Sequence, residues 1–495
     1  MTKQASEITM AGISLNPRSA TPLYRQLYEG LRQAILDGRL RSGSRVPASR
    51  LFAEQLSVSR NTVSLAFEQL ILEGYLKGEI GSGTYVSNDL PEKLLHASIG
   101  ARRGPASSRT FRRPSRRAEA FTKVFSLYSK QPENIRPFQI DVPAVDAFPH
   151  DLWIKLTNQA WRSLPRQTLE YGDAAGYKPL REAIASYLRL YRAARCEPEQ
   201  IIIAECTQQC VDLIGRVLLD AGDSVWMEDP GCIETQVVFL NAGLKVTPVP
   251  IDAEGLRVDV GKKIDPHARL AYITPSCQYP LTTTMSLSRR LQLLEWARLS
   301  RAWILEDDYD SEFRFVGHPL ASLQGLDTDN RVFYLGTLTR ILFPSLHLGY
   351  LVVPPDLVDL FTAAKAAIGR PSSVIDQVVL TRFMEEGHFA RHIRRVRVLY
   401  RDRQEVLLEA TMRELSGILE AKPVQCGMHV VARFHNDGDD REIAKKLSRL
   451  GVIAQPLSDY CMGKRMSRGL LLGYAAFDEK AIKKGVKQLA QALRV

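Results

Sequence analysis

Apolar positions along the chain change their period twice, and those changes divide it. Between 22 and 86 the pattern is helical in short runs. Leu23, Leu27, Leu31, Ala34 and Ile35 recur at helical spacing, and Gly38 stops the run. Pro47, Ala48, Ser49 and Arg50 open a second helix with Leu51, Phe52 and Leu56 as its apolar positions, and Ser57-Val58 makes a turn. Ser59 is an N-cap residue for a third helix, whose stripe is Val63, Ala66, Phe67, Leu70 and Ile71. Gly74 ends it, and strand-like pieces at 75–76 and 84–86 are joined around Gly78, Gly81, Ser82 and Gly83. From 88 to 136 periodicity is lost. From 135 onward apolar runs such as Ile201–Ala204, 224–227, Leu270–Ile273 and 303–305 alternate with helical stretches such as 180–190 and 288–298. That alternation predicts an α/β layer domain on a mainly parallel sheet, with ligands at the carboxyl ends of its strands.

Charge sharpens this division. The net charge is +11. Residues 1–86 carry ten Lys and Arg against seven Asp and Glu, residues 87–137 carry eleven against four, and the rest is nearly neutral. A basic N-terminal part on a neutral body points to an anionic partner, nucleic acid first. The middle stretch sets Arg102, Arg103, Arg109, Arg112, Arg113, Arg116 and Arg117 among Pro, Ser, Gly and Ala, and reads as a flexible basic linker with room for non-specific phosphate contacts. At 495 residues two or three domains are expected. No secretory leader and no run of ~20 apolar residues stands out. Seven irregularly spaced cysteines read as free thiols. A cytoplasmic protein is the expectation.

Helix, turn, helix and hairpin is the winged arrangement, whose second helix enters the major groove. The first turn of that helix holds Arg60, Asn61 and Thr62, which can bond bases or phosphates. The run PASRLFAEQLSVSRNTV, followed by EGYL and GSGTYV, resembles the GntR family. The resemblance implies DNA contacts by Arg50, Ser59, Arg60, Asn61 and Thr62, and a wing tip from Gly81, Ser82, Gly83 and Thr84.

In the large domain the phrases FPHDLW, YGDAAGYKPLREAIASYL, TQQ, EDPG, EDDYDSEFRF, FYLGTLTRILFPSLHLGY and GLLLGYA follow in order. They resemble the aminotransferase-like part of the MocR-type regulators, which join a GntR-type winged unit to an α/β domain of aminotransferase fold type I. The resemblance implies a homodimer on promoter DNA, with pyridoxal phosphate (PLP) as the family cofactor. It places Asp307 on the pyridine nitrogen, Tyr309 on the ring hydroxyl, Thr337 and Thr339 beside the phosphate, and Thr207 and Gln208 at a phosphate-binding helix start. Arg468 lies near the family's carboxylate-binding arginine, or is a surface charge.

The departures decide the chemistry. Arg340 stands at the Schiff-base lysine, and a guanidinium is not an amine nucleophile. No lysine lies between Lys263 and Lys365. His347 replaces a phosphate-binding arginine, Cys232 the stacking aromatic, Cys206 a glycine, Glu205 a small polar residue and Cys277 a histidine. Covalent PLP and a catalytic residue are therefore not expected, and non-covalent PLP is left open. The expected architecture is a winged helix-turn-helix at 20–87, a linker at 88–136 and an aminotransferase-like dimerisation and effector domain at 137–495. The expected function is a DNA-binding transcription regulator. The alternatives are a PLP-dependent aminotransferase, a sensor of another anionic metabolite held by Arg340, Thr337 and Thr339, and a metal or oxidant sensor built on Cys206, Cys232, Cys277 and His347.

Overall fold

The computed structural model describes residues 13–79, 83–90, 135–317, 320–369, 373–435, 438–463 and 468–494, with isolated positions at 115, 118, 119 and 122. They form two compact units. The expected linker lies almost wholly outside the described residues, as do Gly81 and Ser82.

The first unit holds three helices, α1 (Leu23–Leu36), α2 (Ser49–Leu56) and α3 (Arg60–Leu72). Three short strands, β1 (Arg45–Val46), β2 (Leu76–Glu79) and β3 (Gly83–Val86), form an antiparallel sheet in the order β1-β3-β2. Leu27, Leu31, Phe52, Val63, Ala66 and Leu70 are fully buried in its core. Two expected core positions are not. Leu51 is 57% exposed, because Ser57 turns left-handed after only eight helical residues and just Phe52 and Ala53 of α2 face inward. Ile71 is 41% exposed: at 100° per residue it falls about 90° from the centre of the α3 stripe. The strand β1 was not expected, since two residues show no period.

The second unit is built on an eight-stranded sheet. Its strands are β4 (Ile201–Ala204), β5 (Ser224–Asp229), β6 (Lys245–Asp252), β7 (Gly255–Leu256), β8 (Leu270–Ile273), β9 (Trp303–Asp308), β10 (Val332–Thr337) and β11 (Gly349–Val352), in the order β4-β11-β10-β9-β8-β5-β6-β7. Strands β10, β9, β8, β5 and β6 run parallel. Strand β11 is antiparallel to both β10 and β4. Every residue of β4, β8, β10 and β11 is buried, as in a sheet covered on both faces. The expected runs all lie in strands, with the 224–227 and 303–305 runs extended to Asp229 and Asp308. Helices α4 (His150–Ser163), α5 (Lys178–Arg192), α6 (Thr207–Leu218) and α7 (Ile233–Ala242) follow in the chain. A smaller antiparallel sheet, β12 (Leu419–Ala421), β13 (His429–Phe434), β14 (Gln455–Pro456) and β15 (Gly469–Gly473), has the order β12-β13-β15-β14 and packs with the helices His388–Leu415 and Glu479–Arg494. Where β10 pairs with β11, Gly336 faces Tyr350, and a Cβ at 336 would stand 2.2 Å from the Tyr350 ring. No helix among the described residues is long and apolar enough to cross a membrane.

Candidate functional site

In the first unit the start of α3 is a built helix N-terminus. Ser59 Oγ accepts from the Thr62 backbone N–H at 3.1 Å and lies 2.8 Å from the Thr62 hydroxyl. The cap leaves Arg60 and Asn61 exposed on the first turn, free to meet a groove. Arg50 is exposed on α2, with Glu54 one turn away at 3.6 Å. Gly83 has a φ of +117°, and a Cβ there would meet the Arg45 guanidinium at 2.8 Å. Arg45, exposed and laid against the wing strand, belongs with these basic residues. Sequence reasoning missed it because the contact joins β1 to β3 across some 40 positions.

In the second unit a cavity of about 280 Å³ opens at the carboxyl ends of the parallel strands. Cys206, Thr207 and Gln208 enter it after β4, Cys232, Glu234 and Thr235 after β5, and Tyr272 and Thr274 from the end of β8. Asp307 and Tyr309 come from the end of β9, and Thr337, Thr339 and Arg340 from the end of β10. Asp141, Tyr279 and His347 complete the wall. The alternation of a strand sets Asp307 and Tyr309 on one side, as their spacing requires.

Arg340 is engaged through three of its five N–H groups. Its Nη1 donates to Asp141 Oδ1 at 2.6 Å, and Nε and Nη2 donate to the two oxygens of Asp310 at 3.1 and 3.2 Å. The guanidinium also lies 4.8 Å from the Tyr309 ring centroid. Burial opposes its charge, and Asp310 and Asp141 more than reverse that, so its proton is held more tightly than usual. Asp310 has no exposed side-chain surface, and burial raises its carboxyl to about 7 against the pull of Arg340. Asp141 also accepts from the Tyr279 hydroxyl at 2.8 Å. Asp307 accepts from Tyr272 at 2.6 Å, while its Oδ1 is buried without a hydrogen-bond partner and the buried Tyr309 hydroxyl neighbours the Cys277 thiol. Burial raises Asp307 to about 7, with the Tyr272 bond opposing. Burial and then Asp141 raise Glu234, whose Oε2 lies 3.3 Å from Cys232 Sγ.

Most of the expected pocket residues do share this cavity. Two do not. Cys277 is buried outside the lining, its Sγ near Gly427, and its thiol is raised by burial and by neighbouring Cys426. Arg468 is also outside the lining and donates to the Gly438 carbonyl at 3.1 Å. Burial raises the Cys232 thiol well above its usual range, so it lacks the thiolate character an oxidant sensor needs. Among the described residues no group of three or more His, Cys, Asp and Glu is arranged to hold a metal ion. The metal and oxidant reading therefore loses its cluster. For the anion reading, three of the five Arg340 N–H groups already meet carboxylates. Sequence reasoning missed Asp141, Glu234, Thr235, Tyr272, Thr274 and Tyr279 in the lining and Asp310 behind it. A carboxylate count over the EDDYD phrase signals Asp310, but nothing local signals Asp141, 199 positions from Arg340.

PLP fits this wall at one end only. The Asp307 carboxyl and the Tyr309 hydroxyl have the chemistry for a pyridinium nitrogen and a ring hydroxyl, although the unpartnered oxygens themselves are buried. At the aldehyde end Arg340 offers no amine. At the phosphate end the start of α6 and Thr337 remain, but the Thr339 hydroxyl is bonded to Leu348. His347 Nδ1 lies 3.2 Å from the Glu205 carbonyl, and Arg340 is the only other basic side chain in the lining among the described residues. Covalent attachment does not fit.

Residues 23–86 match the model of the bacterial regulatory proteins of the gntR family, and residues 144–489 match aminotransferase class I and II. A probable rhizopine catabolism regulatory protein MocR of Rhizobium meliloti is 39% identical over 95% of this chain and 94% of its own length. The HTH-type pyridoxine biosynthesis transcriptional regulator PdxR of Corynebacterium glutamicum is 29% identical over 97% and 98%. Among solved structures, an archaeal alanine:glyoxylate aminotransferase superposes with a TM-score of 0.69 at 26% identity, over 77% of this chain and 96% of that one. A Pyrococcus horikoshii kynurenine aminotransferase, solved with PMP, gives 0.68 at 25%, over 81% and 98%.

Proposed function

We propose, for a chain that belongs to the MocR-type transcription regulators, in which a GntR-type helix-turn-helix unit precedes an aminotransferase class I and II domain, that it binds promoter DNA as a homodimer and that its large unit senses a small molecule without Schiff-base chemistry. The chain is a DNA-binding regulator by family. The finer assignment divides it into a winged unit at 20–87, a basic tether at 88–136 and a sensing and pairing unit at 137–495. The observation that carries the DNA reading is the capped start of α3, with Arg60 and Asn61 exposed on its first turn and Arg50, Gly83, Thr84 and Arg45 as flanking backbone contacts. A dimer places two such starts on two half-sites. The observation that carries the second half is Arg340, clamped by Asp141 and Asp310 where an amine would be needed.

Selection of genomic fragments on the full chain, followed by fluorescence anisotropy on an enriched fragment, tests the first half. Affinity is expected to fall linearly on a log–log salt plot. Arg60→Ala is expected to weaken binding about tenfold or more at fixed salt. No enrichment, or unchanged affinity in Arg60→Ala together with Asn61→Ala, refutes the DNA assignment, and a monomer by sedimentation refutes the pairing. Mixing with PLP and then borohydride tests the second half: a reduced adduct mapped to a cavity residue refutes it.

A further inference from the structure

Helix α3 carries apolar side chains on two faces, and only one of those faces lies in a core. At about 100° per residue the buried Val63, Ala66, Phe67 and Leu70 form one stripe. Asn61, Leu65, Glu68 and Leu72 fall on the opposite side, within about 60° of one another. All four are exposed, Leu65 by 42%. This outward face begins at the turn that Ser59 caps, so it continues the surface assigned above to DNA.

The make-up of that face decides which part of a duplex it suits. Phosphates are met mainly by basic side chains and hydroxyls, and base edges by amides and apolar groups. The one basic residue of α3 is Arg60, which lies about 100° round the helix from Asn61 and so at the flank of the face. The Thr62 hydroxyl is 2.8 Å from Ser59 Oγ, inside the cap. The outward face therefore offers an amide, then a leucine one turn on, then a carboxylate, and neither of the last two suits a phosphate. A lone exposed leucine needs no explanation on a protein surface. Leu65, however, stands four residues after Asn61, on the same face of the helix that enters the groove. There an amide suits adenine, and an apolar side chain suits the C5-methyl group of thymine.

We propose that Leu65 is a specificity-determining residue, which packs on the C5-methyl group of one thymine in each half-site. Leu65 stands ~6 Å further along the helix axis than Asn61, so that thymine lies about two base-pair steps from the base that Asn61 meets. The proposal rests on reading the first unit as DNA-binding, and it adds to that reading a base that no hydrogen bond reports. Thymine and uracil present the same acceptor in the major groove and differ there by the methyl group alone. The contact is therefore worth what burying one methyl is worth, about fourfold in affinity per half-site. Leu65 lies outside the core of the unit, so truncating it leaves the fold in place.

Fluorescence anisotropy of the full chain on a fragment enriched from genomic DNA tests this, with each thymine of the protected stretch replaced in turn by deoxyuridine. The parent chain is expected to lose about fourfold in affinity at one thymine position per half-site. Leu65→Ala is expected to bind the thymine and uracil probes for that position equally, and Leu65→Met, which keeps a long apolar side chain, to retain the difference. Both variants are expected to keep the parent's melting transition. A parent indifferent to every thymine methyl, or a difference that survives in folded Leu65→Ala, overturns the proposal. So does Leu65→Ala that weakens on both probes by one factor, or that loses the melting transition, because the side chain then acts through protein packing. Binding by the parent separates the two failures. A parent that binds fragments but ignores every methyl removes only the Leu65 assignment, and a parent that binds no fragment removes the DNA reading itself.

Discussion

Replacing Arg340 by Met separates a paired guanidinium from one held in reserve for an anion. Met roughly matches the length of the arginine stem and removes five donors. Three of those donors meet Asp141 and Asp310, and the Arg340 side chain is 17% exposed while that of Asp310 has no exposure. Removing one partner of a buried pair leaves an uncompensated charge and costs roughly 3–5 kcal/mol. The residual exposure of Arg340 and the 23% exposure of Asp141 favour the lower end, about 3 kcal/mol. For a unit of about 360 residues that lowers the melting temperature by about 4 °C. The deficit is expected to depend on pH. Without Arg340 the folded pKa of Asp310 rises above its present value of about 7, far above the unfolded value near 3.8. Between pH 8 and 6 the folded variant then holds a proton that the unfolded chain does not, so its stability rises by at most about 2.7 kcal/mol as pH falls; the parent, with Asp310 at about 7, gains about 1.4 kcal/mol over the same window, so the deficit narrows by at most about 1.3 kcal/mol. Calorimetric melting of parent and variant at pH 8 and pH 6 measures both effects. A variant as stable as the parent at pH 8, or an equal deficit at both pH values, refutes the clamp and returns Arg340 to the role of an anion handle.

Other consequences are equally direct. Ser59→Ala is expected to cost about 1 kcal/mol in the first unit's melting and to weaken DNA binding, whereas Ser59→Asp restores the cap and weakens binding further, because it sets a negative charge beside phosphate; parallel loss of stability and affinity in both variants would mean that the cap acts only through folding. Asp307 is raised to about 7, so its contribution to stability is fully present below about pH 3.8 and is lost as pH rises through 7. Asp307→Asn is accordingly expected to be more stable than the parent at pH 8 and no more stable at pH 4, which denaturant titration at the two pH values checks. Gly336→Ala places a Cβ 2.2 Å from the Tyr350 ring between two buried strands, and is expected to cost about 2–3 kcal/mol by melting, with part regained in the double variant with Tyr350→Leu.

What the sequence reveals about this protein is what is local in it. The cap at Ser59, the stripe of α3 and the strands Ile201–Ala204 and Leu270–Ile273 are set by neighbours within a few positions, and they stand where the periodicity puts them. Errors begin where a residue's surroundings come from far along the chain. Leu51 and Ile71 have the right type for a core, but their exposure depends on how the three helices close. The cavity's membership follows from strand ends, so Asp307, Tyr309, Thr337 and Arg340 were legible as neighbours of one ligand. The sign of the cavity was not. Taken alone, Arg340 is a cation at the centre of a pocket and calls for an anion. Asp310 reaches it from the turn after β9, and Asp141, on a residue with a φ of +66°, reaches it from a segment 199 positions earlier. With both in place Arg340 is paired inside the protein through three of its N–H groups. The surroundings of Arg340 therefore lie in side chains from separate segments, which the motif around it does not contain.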